Sequence, residues 1–253
     1  MTADQYLYGI LARETVNTSA NSPLRQVAVT LMPRLRAWAG ELLVGVHPSG
    51  SFAKGTANAS GTDIDIFLSL RSDTTATLKD IYDTLFNQLQ QSGYTPRKQN
   101  VSIGLKVGSF KVDLVPGKQQ QVNSTDHSLW RNRAQTWTKT NIGTHIAAVQ
   151  WSGLQNEIRA IKLWRDQRGL DFPSFYLELS VIAGLNGNTQ ACFSDRVWTA
   201  LTFLSNSFEN ARSVDPANTK NIISDDLSDT AKKAIARAAG EALKAKTWGE
   251  VLK

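Results

Sequence analysis

The chain has 253 residues, 41% of them hydrophobic and 20% charged, which is enough for one large domain or two small ones. A single cysteine, Cys192, excludes an intramolecular disulfide and a thiolate zinc cluster, and no apolar run reaches the length of a signal h-region or a membrane span. The expectation is a soluble, cytoplasmic protein with no membrane partner. The formal charge of +6 is uneven: residues 97 to 168 hold twelve Lys or Arg against four Asp or Glu, so the rest is slightly acidic. Such a basic tract suits a polyanionic substrate or product, or else is the solvated face of a helix carrying Arg159, Arg165 and Arg168.

Residues 3 to 15 and 23 to 44 read as helices, the second opening on Pro23 with apolar residues at Leu24, Val27, Leu31, Leu35, Trp38 and Leu42. A strand, turn, short helix and strand follow from the apolar run 42 to 46 through Gly50 to the segment Asp63-Ile64-Asp65-Ile66-Phe67. Leu78, Ile81, Leu85 and Leu89 give an amphipathic helix stopped near Gly93, and strands are expected at Val101 to Leu105 and Phe110 to Val115. From Pro116 to Asp126 the sequence is Gln-rich and polar, as in a surface loop. Helical spacing then governs Leu154 to Gly169, Pro173 to Leu185, Val197 to Phe208 and Ser228 to Trp248. The fold class is α+β, a mixed sheet backed by helices with a C-terminal helical lobe, divided into a catalytic core over 1–145 and a helical domain over 146–253.

The chemistry concentrates in three acids. In a strand, Asp63 and Asp65 point to one face while Ile64, Ile66 and Leu68 point to the other. Asp113, in Lys111-Val112-Asp113-Leu114-Val115-Pro116, joins them if the two strands are neighbours. Crowded carboxylates repel unless one takes a proton or a cation intervenes, and Mg2+ favours such oxygen ligands together with substrate phosphates. Two ions, with Mn2+ as a substitute, would activate the attacking hydroxyl and neutralise the leaving pyrophosphate. Upstream, Gly50 lets the main chain approach a phosphate, Ser51 offers a hydroxyl and an amide, and Lys54 adds a point charge. The bland alternative makes the acids the wet side of an edge strand and the Gly-Ser turn a flexible loop. His47, His127 and His145 lack metal-ligand spacing.

Gly50-Ser51-Phe52-Ala53-Lys54-Gly55-Thr56, Asp63-Ile64-Asp65-Ile66-Phe67 and Val112-Asp113-Leu114-Val115-Pro116 together resemble the DNA polymerase beta-like nucleotidyltransferase superfamily. They are most similar to the branch of cGAS-like bacterial oligonucleotide synthases, oligoadenylate synthetases and archaeal-type CCA-adding enzymes. Ile161-Lys162-Leu163-Trp164 and Pro173-Ser174-Phe175-Tyr176-Leu177-Glu178-Leu179 resemble that branch's helical-domain motif. The resemblance implies that Lys162 and Ser174 grip the triphosphate tail and that Phe175 or Tyr176 stacks on the base. It also places Asp215-Pro216-Ala217-Asn218 in a loop near the end of such domains, and Trp137 and Thr140-Asn141 beside the substrate.

What the resemblance implies is metal-dependent, template-independent transfer of a nucleoside monophosphate from an NTP or dNTP to a hydroxyl. The product would be a cyclic or short linear oligonucleotide made in bacterial antiphage defence, with an effector protein as a further partner. Rival readings are a CCA-type transferase acting on tRNA or RNA 3' ends, a small-molecule nucleotidyltransferase, a tRNA-modifying toxin, and a non-catalytic nucleotide- or RNA-binding module. CCA enzymes carry further C-terminal domains, whereas one long helical segment is expected here after residue 220.

Overall fold

Helix α1 (Ala3–Arg13) begins where Thr2 closes a capping box with Gln5, and it buries Leu7, Ile10 and Leu11 on one stripe. Helix α2 (Pro23–Ala39) starts on its proline and ends at Gly40, whose φ of +53° belongs to the left-handed region. That glycine ends the helix short of the expected residue 44 and releases Leu43–Pro48 to form strand β1. The computed structural model describes all residues except Thr18, Ala20 and Thr62.

Two compact units divide the chain: Met1–Val16, Gly55–Gly61 and Ala147–Lys253 form one, Asn17–Lys54 and Thr62–Ile146 the other. Residues 1–16 and 55–61 fall within the helical unit. The physical reason for the first segment is that Leu7, Ile10 and Leu11 bury their stripe among Ile158, Ile161 and Val197 of that unit.

The sheet unit comprises β1, a short helix α3 (Gly50–Lys54), β2 (Ile64–Leu70), helix α4 (Leu78–Gln91), β3 (Arg97–Lys98), β4 (Ile103–Val107), β5 (Phe110–Gln119), β6 (His127–Arg131) and β7 (Thr136–Thr140). Strand order is β1-β2-β5-β4-β3, with β6 paired to β5 and β7. Only β2 and β5 run parallel, and the connection between them carries α4. Thr77 and Asp80 cap α4, whose Tyr82, Leu85 and Leu89 pack on the Ile64, Ile66, Leu68, Val112 and Leu114 side of the sheet. Strand β5 continues through Pro116, because its pairing with β6 begins only at Lys118. The expected loop is thus confined to the segment before His127, and the β6–β7 hairpin is a feature that the sequence reading did not contain.

The helical unit contains α1, α6 (Gln155–Gln167), α7 (Ser174–Gly184), α8 (Phe193–Asn206), α9 (Asp229–Ala242) and α10 (Trp248–Val251). Helix α5 (Ile142–Gln150) spans the division between the units. The expected helix 228–248 stops at Ala242, and Asp215 to Asn218 forms the bend of a hairpin between β8 (Val214–Asp215) and β9 (Asn218–Ile222) rather than a plain loop. Trp164, Tyr176, Phe193 and Phe208 are the largest side chains of its core. The architecture is α+β, a mixed sheet with C-terminal helices, as expected from the sequence. Among the described residues no helix is long and apolar enough to cross a membrane.

Leu85, with no exposed surface, is wedged where α4 meets the sheet. Leu85→Ala is expected to destabilise the protein by about 2–5 kcal/mol, read from the urea midpoint of unfolding.

Candidate active site

Parallel register sets Asp65 of β2 opposite Asp113 of β5, followed by Phe67 opposite Val115 and Ser69 opposite Gly117. These residues share one face of the sheet, because Ile64, Ile66 and Leu68 alternate to the buried side with Val112 and Leu114. Asp63 lies just before β2 and is exposed. On the other side of β2, the Ser49 amide donates to the Asp65 carbonyl oxygen at 3.0 Å, which pins the turn that opens α3. Gly50 in that turn has a φ of +57°, and a Cβ there would overlap the Asp65 carboxylate. Glycine is required twice over, by its dihedral and by that close approach.

Asp113 is half-buried. Burial, then the negative charge of Asp63, push its carboxyl above the usual range, while a hydrogen bond from Gln99 and the charge of Arg97 work against that rise. The Gln99 Nε2 donates to Asp113 Oδ1 at 2.9 Å, and the Ser102 hydroxyl donates to Gln99 Oε1 at 2.8 Å. Tyr82 anchors this turn from α4, its hydroxyl lying 2.9 Å from the carbonyls of both Gln99 and Ser102. Neither Gln99 nor Ser102 was among the residues singled out from the sequence. The sign available there was Gly104, an isolated glycine inside a strand pattern, which implies a close approach.

Among the described residues, no three His, Cys, Asp or Glu side chains converge closely enough to make a metal centre by themselves. Asp65 and Asp113 sit side by side on neighbouring strands, whereas Asp63 stands outside the strand on an exposed segment.

The remaining candidates fall in different surroundings. Lys54 is 7% exposed and so is a buried cation at the end of α3. In the helical unit, Lys162 Nζ lies 2.6 Å from Glu178 Oε1 and 2.9 Å from Thr56 Oγ1, and the Thr56 hydroxyl donates to the same Glu178 oxygen at 2.8 Å. All three side chains are buried, so the Lys162 ammonium is engaged inside its own unit. Ser174, the exposed first residue of α7, accepts from Arg165 Nη1 at 3.0 Å. Phe175 is partly buried against the helical core. Tyr176 is 1% exposed and packs on the rings of Phe172 and Phe208 at 5.4 and 5.1 Å. As a core residue it cannot present its face to a base, which corrects that half of the stacking pair. Trp137 is exposed, but it pairs with Trp130, which packs on the α4 side of the sheet, opposite the acids.

The acid-bearing face continues into a cavity of about 430 Å³ lined by His47, Ser69, Gln119, His127 and Asn141. Nδ1 of the buried His127 faces the Thr125 carbonyl at 2.9 Å and must donate to it, so Nε2 accepts from the Ser69 hydroxyl at 2.7 Å. Burial pushes the pKa of this imidazole down, and the nearby His47 adds to the effect.

The mixed sheet, its carboxylate row and the C-terminal helices define the polymerase-beta-like nucleotidyltransferase architecture. Solved structures bear out this fold at low identity. CdnC of E. coli MS115-1, in its complex with HORMA-deltaN, superimposes with a TM-score of 0.76 at 19% identity, over 96% of this chain and 89% of that one. The CdnE cyclic dinucleotide synthase of Elizabethkingia meningoseptica, with GTP and Apcpp, gives 0.74 at 13% identity over 97% and 100%. The Cid1 poly (U) polymerase with Mg 3'-dATP bound gives 0.70 at 13% identity over 97% and 95%. No family model matches the chain, and no curated protein matches it in sequence.

Two outcomes follow from these surroundings. Because the folded Asp113 carboxyl titrates above its unfolded value, wild-type stability falls as pH rises through that interval, and an asparagine does not titrate. The thermal midpoint of Asp113→Asn relative to wild type is therefore expected to rise between about pH 4 and pH 7. Lys162→Met leaves Glu178 buried without its cation and is expected to cost about 3–5 kcal/mol, largely recovered in Lys162→Met/Glu178→Leu, as read by denaturant unfolding.

Proposed function

We propose that the protein is a template-independent nucleotidyltransferase that moves a nucleoside monophosphate from an NTP or dNTP to a hydroxyl and releases pyrophosphate. The product is a cyclic or short linear oligonucleotide, made in bacterial antiphage defence. The observation that carries this reading is the paired row Asp65–Asp113, bordered by the Gly50 turn whose main chain closes on the Asp65 carboxylate. CdnE, a cyclic dinucleotide synthase with the same fold, supports the product class. The CdnC complex with HORMA-deltaN supports an effector-type protein partner.

The residues fit a hard divalent cation. Their donors are carboxylate oxygens, and burial first, then the charge of Asp63, raise the Asp113 carboxyl, a rise that a cation would counter. A row of two acids with a third nearby suits an ion that arrives with substrate and draws its other ligands from phosphates and water. When bound, Mg2+, or Mn2+ in its place, supplies charge neutralisation at the phosphates and a lowered pKa of the acceptor hydroxyl, tasks that two ions would share.

The acceptor oxygen bonds to the α-phosphorus as the bond to the bridging oxygen breaks, and pyrophosphate departs. In this scheme Asp63, Asp65 and Asp113 would hold the cations, and Asp113 would help to take the hydroxyl proton. Gly50 and Ser51 offer amide and hydroxyl donors to the phosphates, and Lys54 contributes charge behind them. Ser174 and Phe175 are the helical unit's candidates for the triphosphate tail and the base. Lys162 acts through Thr56, holding by its buried ion pair the segment that follows Lys54 in the chain. The likeness to Cid1 favours one second reading, untemplated addition to an RNA 3' end.

Incubation with each radiolabelled ribo- and deoxyribonucleoside triphosphate plus Mg2+ or Mn2+, with products separated by chromatography, tests the proposal. Phosphatase-resistant cyclic product or short ladders are expected; labelled RNA alone would favour the second reading, and no pyrophosphate release under any condition would overturn both. Asp65→Ala is expected to lose more than about a thousandfold in turnover at an unchanged thermal midpoint.

A further inference from the structure

We infer that Gln99 is a positioning residue that fixes the Asp113 carboxylate in one orientation by committing its Oδ1. The inference rests on the nucleotidyltransferase reading of the site, but its geometry stands apart from that reading. The Gln99 amide donates to Oδ1 at 2.9 Å. Its own orientation is settled by chemistry: the Ser102 hydroxyl reaches the other end of the same amide at 2.8 Å, and the reversed amide would set a carbonyl oxygen against a carboxylate. The turn bearing Gln99 is closed by the Gln99 main-chain N–H donating to the Ser102 carbonyl at 3.0 Å. The buried Tyr82 hydroxyl holds the same turn from α4.

Gly104 makes room for this arrangement. It pairs with Asp113 in the β4–β5 register, and a Cβ there would come within 2.5 Å of Gln99 Nε2 and 3.0 Å of Asp113 Oδ1. A side chain at 104 would take the space that the amide occupies. A carboxylate alone on a strand can turn about its last torsion, whereas one held through Oδ1 presents a single oxygen in a fixed direction. Errors of about 1 Å in such placement cost on the order of a hundredfold in rate.

The test joins a structural readout to a kinetic one. In the wild-type protein, the Gln99 side-chain amide protons, followed by NMR, are expected to exchange with solvent at least about tenfold more slowly than those of exposed glutamines, and to lose this protection in Asp113→Ala and Ser102→Ala. Gln99→Met, which keeps length and removes the donor, is expected to lower kcat by about ten- to a hundredfold with KM for the triphosphate unchanged. A loss of packing alone would instead lower the thermal midpoint. Fast exchange in wild type overturns the inference, and so does a wild-type kcat in Gln99→Met. If wild type transfers no nucleotide at all, the functional reading fails, and the amide exchange alone decides whether Gln99 holds Asp113.

Discussion

Everything in the sheet unit that bears on chemistry depends on the parallel pairing of β2 with β5. A shift of one residue in that register would turn Asp113 to the α4 side, into the company of Ile64, Ile66 and Leu68. The apolar residues of both strands forbid this, since Val112 and Leu114 would then lose the core that α2 and α4 provide. Hydrophobic burial on one face therefore holds two like charges together on the other. Repulsion between neighbouring acids is tolerated because the register is set by larger energies elsewhere.

The helical unit illustrates a different balance. Its buried ion pair of Lys162 and Glu178 is satisfied by geometry: one carboxylate oxygen accepts from both the ammonium and the Thr56 hydroxyl. Such a pair contributes little net stability but is costly to break. It therefore fixes where the segment around Thr56 runs within its unit. Arg159 does the same for Asn58, whose Oδ1 it reaches at 3.1 Å while also bonding the Leu11 and Glu14 carbonyls at the end of α1. The Gly55–Gly61 excursion into the helical unit is thus explained by polar contacts rather than apolar patterning.

Much of the sheet was legible in the sequence because alternation and a proline-started helix carry local signals. Asp65 was placed in β2 by that alternation and Asp113 by the matching pattern in β5, whereas Asp63 lies before the strand. The β6–β7 hairpin was hidden because Ser128, Thr136, Thr138 and Thr140 give a polar strand without the apolar period that marks a buried one. Lys162 was expected at a phosphate, yet α6 is buried from Glu157 through Trp164 at every position but Arg159, so no stripe rule applies to it. Adjacent aromatics on a helix point about 100° apart, so Tyr176 is fully buried while Phe175 only borders the core, and sequence had no means of choosing between them. Gln99 escaped notice because an amide neither titrates nor binds metal strongly, and its role exists only through contact.

His127 gives the acid-bearing face an electrical asymmetry along its length. With one ring nitrogen committed as a donor to Thr125 and the other against the Ser69 hydroxyl, the imidazole is partnered at both ends, and burial disfavours its charged form. Fixed negative charge therefore gathers where β2 begins, while its far end is closed by a neutral couple seated against the Phe67 ring. A cation drawn to this surface would meet a gradient pointing toward one end of the strand, so the fold favours one end of β2 over the other for any ion carried in with substrate.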